Sequence, residues 1–217
     1  DQGFTYRGGR HQQVQTQTLV VACRYWYELL AQAQSAYADI PRLELELVHL
    51  DLSNASISIA RQRFEARGLS PPQFISASIF DLPQLQLAPF DLINCVGVLH
   101  HLADPVDGVR TLASALKDDG VLAAMVYGEY GRTGLYDLQS IMRTLKKHQP
   151  ETTLAEDLKL LKNVFAQLPD THRYKANSIH GGQTLDGISD EEWIDRFLHP
   201  CDQAFTVPKL FQLLRQA

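Results

Sequence analysis

The sequence lacks the features of a secreted, disulfide-stabilised or membrane-spanning chain. Its three cysteines, Cys23, Cys95 and Cys201, are odd in number and far apart, which fits neither a disulfide framework nor the spacing of a zinc site. No apolar run approaches the roughly 20 residues of a membrane span, and the first residues lack the basic start and apolar block of a signal peptide. We therefore expect a cytoplasmic protein without a metal site.

Positive charge is also scarce. The 217 residues include 20 lysines and arginines against 25 aspartates and glutamates, which leaves a formal net charge of −5. Chains that bind DNA or RNA usually carry a basic footprint. The composition therefore argues against nucleic acid as the main partner. The length and the 45% hydrophobic content predict one domain, or one domain with an appendage.

Apolar runs alternate with amphipathic segments along the first part of the chain. Strands are predicted at 18–23, 43–50, 73–77, 90–97 and 120–127, with helices at 25–37, 53–67 and 104–117. Steps of about 25 residues predict βαβ units in a Rossmann-like, doubly wound and mostly parallel sheet of the α/β class.

Different patterns flank this α/β core, which is predicted over residues 18–130. Residues 1–17 are polar and Gln-rich, and predict an N-terminal arm. Residues 131–217 predict a helical C-terminal extension or lid, with helices at 136–148, 154–168, 191–198 and 206–215 and a loop at 177–189.

A double histidine marks the end of the fourth predicted strand. The buried run ends at His100 and His101, and Asp104 then caps a helix that has Pro105 at its first position. Polar groups between a strand and a helix lie at the carboxyl edge of the sheet, where open α/β sheets bind their ligands. The sequence therefore predicts a site at this edge.

Three segments together resemble the class I S-adenosylmethionine-dependent methyltransferases, over residues 18–130. They are His49-Leu-Asp-Leu-Ser53 followed by residues 60–69, Phe74-Ile-Ser-Ala-Ser-Ile-Phe-Asp-Leu-Pro83, and the stretch from Phe90 to Pro105. The tail, Phe197-Leu-His-Pro200 with residues 205–210, is similar to a region that follows the core in one bacterial subgroup. The resemblance implies the cofactor S-adenosyl-L-methionine.

The resemblance implies roles for residues at the ends of the second and third strands. Asp51, followed by Leu52, would accept the ribose hydroxyls of the cofactor; the alternative is a strand-end carboxylate that helps Ser53 cap the next helix. Ser78 stands where the family usually has an acidic residue for the adenine amino group, and Ile79 would pack on the adenine face. The alternative for both is an ordinary transition from strand to loop.

The sequence departs from the family after the first strand. The family has Gly-x-Gly-x-Gly there, whereas this chain has Ala22-Cys-Arg-Tyr-Trp26, and a side chain at positive φ costs about 1–2 kcal/mol. The resemblance implies that Ala22, Cys23 and Arg24, with Val96 and Gly97, hold the methionine part. The alternatives are a solvated Arg24 and a Trp26 that fills the core.

The same resemblance places the methyl acceptor near the double histidine. His100 or His101 would act as a general base, or else cap and pack. Tyr127 and Glu129 would line the acceptor site. Two tail residues, His199 and Asp202, would cover it.

Two functional hypotheses follow. The first is a methyltransferase that acts on a small-molecule acceptor by O- or N-methylation. The second is a catalytically inactive binding or assembly module, a pseudoenzyme, because the family's glycines and its final strands are not visible in the sequence. A dinucleotide oxidoreductase is weaker, since its Gly-x-Gly-x-x-Gly fingerprint is equally absent.

The family's sheet gains two further strands that this sequence does not show after the helix ending near Arg215. The fifth strand would then be an open edge, which can pair with another chain. We expect that either the protein continues past Ala217, or residues 131–217, a second copy or a partner chain cover this edge.

Overall fold

A parallel sheet organises the first part of the chain in the computed structural model, which describes residues 14–21, 43–176 and 188–217. Within these residues five strands pair in the order β3-β2-β1-β4-β5, and every pairing is parallel. The strands are β1 (Val14–Val21), β2 (Leu43–Asp51), β3 (Gln73–Ser76), β4 (Phe90–Val96) and β5 (Leu116–Met125). The predicted Rossmann-like α/β class is confirmed.

Two helices connect strands of this sheet. Helix α1 (Asn54–Ala66) begins after Ser53, whose side chain accepts a hydrogen bond from the backbone N–H of Ser56, as the sequence predicts. The helix ends before Gly68, which has a φ of 62° and provides the left-handed residue that commonly ends a helix. Helix α2 (Pro105–Ser114) begins at the proline predicted for its first position.

The first and the last strand of the sheet, β1 and β5, both begin earlier than predicted. Strand β1 begins at Val14 and pairs with β2 along its whole length, so residues 14–17 belong to the sheet and not to a polar arm. Its threonines and valines favour a strand despite the intervening glutamines. Strand β5 begins at Leu116, which pairs with Phe90, so the preceding helix ends earlier than predicted.

Several predictions fall outside the described residues. They concern residues 1–13 of the arm, the helix at 25–37, residues 22–26 after β1, and most of the loop at 177–189. Among the described residues, β5 pairs with β4 alone. Its coverage by another chain stays a prediction.

The described residues divide into two compact units. The first contains the sheet and comprises the described residues up to Leu99, residues 106–125 and Ala217. The second comprises residues 100–105 and the described residues of 126–216. The prediction placed the boundary after residue 130. Strands β1, β2 and β4 bury Leu19, Leu50 and Ile93 in the first unit, as parallel strands covered on both faces should.

The second unit is helical. Its elements are α3 (Thr133–His148), α4 (Leu154–Gln167), α5 (Arg173–Ala176), α6 (Asp190–Trp193), a π-helical turn (Ile194–Leu198) and α7 (Val207–Gln216). Leu138, Leu161, Trp193 and Phe197 form its buried core. None of the helices in the described ranges has the length and apolar character needed to cross a membrane.

Gly134 in α3 tests the packing of the second unit. A Cβ at this position would overlap the backbone nitrogen of Tyr174 and lie 2.7 Å from the backbone carbon of Arg173. We expect Gly134→Ala to lower the free energy of unfolding by about 1–3 kcal/mol through overpacking, although alanine by itself favours a helix by about 1 kcal/mol. Urea denaturation measures the change.

Gly131→Ala is the matched control, since a Cβ at Gly131 meets no atom within 4 Å. We expect its stability to stay close to that of the unmodified protein. A Gly134→Ala protein at least as stable as the control would contradict the close packing of α3 on α5.

Candidate functional site

Asp51 is the last residue of β2, and its carboxylate has two different environments. Oδ1 accepts a hydrogen bond from the backbone N–H of Ser53 at 2.7 Å, so the carboxylate does help to begin α1. Oδ2 accepts no hydrogen bond from the described residues. Asp51 is half-buried, and its carbonyl oxygen accepts from the N–H of Ala77 at 3.2 Å, which fastens the end of β2 to the end of β3.

Ser78 begins a 3₁₀ turn over Ile79–Gln84. Its Oγ accepts from the N–H of Phe80 at 3.2 Å, and its own N–H donates to Asp81 Oδ2 at 2.8 Å. Ile79 is only 4% exposed, whereas Leu52 is 75% exposed. Leu52 therefore exposes much more apolar surface at this edge than Ile79 does.

Gly97 follows the last residue of β4, Val96, and has a φ of 82°. A Cβ added there would meet no atom of the described residues within 4 Å. Its N–H donates to the carbonyl oxygen of Met125 at 3.2 Å, so the turn remains attached to β5. The end of β4 therefore combines open space with a conformation that favours glycine.

Together these residues fit the nucleoside half of S-adenosylmethionine. A carboxylate oxygen that accepts no hydrogen bond from the described residues suits ribose hydroxyls, and an exposed leucine suits a base. The space that these residues leave beside Gly97 admits close approach. The positions predicted for the methionine half, Ala22, Cys23 and Arg24, lie outside the described residues.

His100 lies inside the second unit. It is 0% exposed, and its ring centroid is 3.7 Å from that of Tyr127. Neither ring nitrogen has a hydrogen-bond partner among the described residues. Burial, followed by the charges of His101, Arg132 and His199, lowers its pKa to about 3. A neutral, enclosed imidazole of this kind is a poor proton acceptor at neutral pH.

His101 has a more suitable environment. It is half-buried, and its Nδ1 lies 2.9 Å from the carbonyl oxygen of Cys201. Because a carbonyl oxygen can only accept, we assign the proton of the neutral ring to Nδ1. Nε2 then carries a lone pair that can accept a proton, and the role of general base stays a prediction for His101.

The tail segment, residues 199–205, is hydrogen-bonded to the double-histidine turn. The backbone N–H and the side chain of Gln203 donate to the carbonyl oxygens of His100 and Leu102 at 2.9 and 2.8 Å. Phe205 exchanges backbone hydrogen bonds with Tyr127 and Glu129. The structure thereby brings His199 against His101, with ring centroids 3.8 Å apart.

Arg132 belongs to the same cluster, and the sequence analysis did not identify it. Its guanidinium carbon lies 3.5 Å from the ring centroid of Tyr127, and Nη2 is 4.0 Å from Asp202 Oδ2. Asp202 has a fully buried side chain and also accepts from Gln139 at 2.8 Å. Burial, followed by the charge of Asp202, raises the pKa of Tyr136 to about 12.

One sequence signal could have indicated part of this cluster. Tyr136, Gln139 and Arg143 recur at the spacing of one helix face within an otherwise amphipathic helix. No comparable pattern marks Arg132. Among the residues that the structure describes, no histidine, cysteine or carboxylate group is arranged to hold a metal ion.

Comparison with known proteins identifies the fold of this chain. A family model described as a methyltransferase domain matches residues 28–122. A solved structure of PKMT2 from Rickettsia typhi in complex with AdoHcy superposes with a TM-score of 0.61 at 17% identity, over 93% of this chain and 38% of that one. The chain has the fold of the class I S-adenosylmethionine-dependent methyltransferases.

Two relatives in sequence extend the comparison. An uncharacterized protein of Synechococcus is 32% identical over 156 residues, which are 71% of this methyltransferase-fold chain and 37% of the relative. The tRNA 5-carboxymethoxyuridine methyltransferase of Escherichia coli is 38% identical over 87 residues, 40% of this chain and 33% of the relative. The chain thus spans about a third of the length of these relatives.

The buried His100 predicts acid sensitivity. Its pKa is about 3 in the folded protein and about 6.5 when unfolded, so the unfolded state binds more protons between these values. Stability is then unaffected above pH 6.5 and falls as the pH falls below it, by up to about 1.4 kcal/mol per pH unit from this residue. Urea denaturation between pH 7 and pH 4.5 measures the slope.

His100→Leu has similar volume and no titrating group, so we expect a shallower pH slope even if its overall stability differs. His148→Leu, at the exposed end of α3, is the control and should retain the full slope. An unchanged slope in His100→Leu would show that His100 is accessible to protons in the folded state.

Proposed function

We propose that this chain is the cofactor-binding part of an S-adenosylmethionine-dependent methyltransferase. The observation that carries the proposal is the placement of Asp51 and Gly97 on either side of β1. Val21 of β1 is level with Leu50 of β2 and with Cys95 of β4, so both residues lie just beyond it at one sheet edge. With strands about 4.8 Å apart, they are separated by roughly 10 Å, a span that suits a nucleoside.

When bound, S-adenosylmethionine supplies an electrophilic methyl group. In this proposal Asp51 Oδ2 accepts hydrogen bonds from the ribose hydroxyls, while Oδ1 keeps its bond to Ser53. Leu52 packs on the adenine, Ser78 Oγ accepts from its amino group, and Ile79 supports this turn from the core. Val96 and Gly97, with the predicted residues 22–24, hold the remainder.

The acceptor that we propose is a small molecule methylated on oxygen or nitrogen. Either reaction releases a proton from the acceptor, and the general base in this proposal is His101, whose Nε2 carries a lone pair. The Escherichia coli relative is named for a tRNA substrate, but the net charge of −5 favours a small molecule over nucleic acid. The glycine-free residues 22–26 favour the second candidate, an inactive module.

Calorimetric titration with S-adenosylmethionine and S-adenosylhomocysteine tests the proposal. We expect saturable binding that weakens about 10- to 100-fold in Asp51→Asn, because a charged acceptor is lost while the cap on α1 can be retained. Asp107→Asn, an exposed change in α2, should bind as the unmodified protein does.

The absence of heat at millimolar ligand would contradict cofactor binding and support the inactive module. Equal affinity in Asp51→Asn and in the unmodified protein would instead place the nucleoside away from Asp51.

A further inference from the structure

His199 contacts His101, the base proposed above, and the proposed function gives His199 no role. Its Nδ1 accepts a hydrogen bond from the backbone N–H of Cys201 at 3.2 Å. The carbonyl oxygen of the same Cys201 lies 2.9 Å from His101 Nδ1. One residue of the tail segment therefore contacts both imidazole rings through its two backbone polar groups.

These two contacts assign opposite tautomers to the stacked rings. A backbone N–H can only donate, so His199 Nδ1 carries no proton, and the proton of the neutral ring is on Nε2. Burial lowers the pKa of His199, which keeps the ring neutral near pH 7. His101 has the reverse arrangement, with its proton on Nδ1 and a lone pair on Nε2.

The remaining ring nitrogens form a donor and acceptor pair. Both Nδ1 atoms face Cys201, so both Nε2 atoms lie on the far sides of rings whose centroids are 3.8 Å apart and tilted by 33°. Within the described residues, neither Nε2 has a hydrogen-bond partner and neither is fully enclosed. His100 and Tyr127 are the other rings that contact His101.

A hydroxyl group matches such a pair. It can accept from His199 Nε2–H and donate to His101 Nε2 at the same time. A carboxylate offers acceptors only, and an ammonium group offers donors only, so each would leave one ring nitrogen unmatched. The pair therefore discriminates between head groups of similar size by their hydrogen-bonding pattern.

We propose that His199 is a substrate-binding residue. The group that binds to the Nε2 atoms of His199 and His101 is a hydroxyl. This inference rests on the proposed function and names a hydroxyl as the group that the second unit binds. The hydroxyl oxygen accepts a hydrogen bond from His199 Nε2–H, and its own O–H donates to His101 Nε2. The carbonyl oxygen of Cys201 holds the His101 ring through Nδ1–H.

Nitrogen NMR of the histidine rings tests the tautomers without cofactor or substrate. In ¹⁵N-labelled protein near pH 7.5, we expect His101 protonated at Nδ1 only and His199 protonated at Nε2 only. The variants His101→Gln and His199→Gln assign the signals. The same tautomer in both rings, or a doubly protonated ring, would overturn the inference, whatever the result of the cofactor titration.

Phenol, benzoate and benzylammonium test the discrimination, because they share a ring and differ in head group. We expect phenol to shift the Nε2 signals of both histidines with an apparent affinity about 5-fold above that of the other two, the value of one neutral hydrogen bond. Equal shifts with all three probes, or none with phenol, would overturn the inference.

Two variants separate hydrogen bonding from packing at this position. His199→Gln keeps a side-chain N–H donor, and we expect it to retain the preference for phenol. His199→Phe keeps a stacked ring without a donor, and we expect it to lose the preference. Retention of the preference in His199→Phe would show that His199 only packs against His101.

Discussion

The parallel pairing of β1 with β2 on one side and β4 on the other determines the proposed cofactor site. Because Val21 is level with both Leu50 and Cys95, the residues that follow these strands end at the same edge of the sheet. The carboxylate of Asp51 therefore lies at the end of β2, and the open backbone of Gly97 follows β4. Neither segment contains a recognised binding motif. A shift of one residue in the pairing of β1 with β2 would turn the Asp51 side chain to the opposite face of the sheet.

The second unit depends on a different kind of contact. The tail segment returns to the double-histidine turn through backbone groups of Cys201, Gln203 and Phe205. Backbone hydrogen bonds do not depend on the identity of the side chain. The carbonyl oxygen and the N–H of Cys201 can therefore orient the imidazoles of both His101 and His199. The buried Arg132, Asp202 and His100 retain polar atoms without hydrogen bonds within the described residues, and such groups are costly unless the surrounding structure holds them.

The sequence predicted the elements whose signals are local. Ser53 and Gly68 act as the start and stop of α1, and Pro105 begins α2, because capping depends on the nearest few residues. Strand β5 was predicted to begin four residues late, since Leu116 becomes a strand residue only by pairing with Phe90. The stacking of His199 on His101 joins residues far apart in the chain, and no local pattern reports it.

The central claim is that a nucleoside binds beside Asp51 and Gly97 at the sheet edge. A crystal structure with S-adenosylhomocysteine tests it most directly. The account predicts ribose hydroxyls within hydrogen-bonding distance of Asp51 Oδ2, adenine against Leu52, and the Ser53 contact of Oδ1 intact. A well-ordered ligand bound elsewhere, with Asp51 still bonded to Ser53 alone, would contradict it.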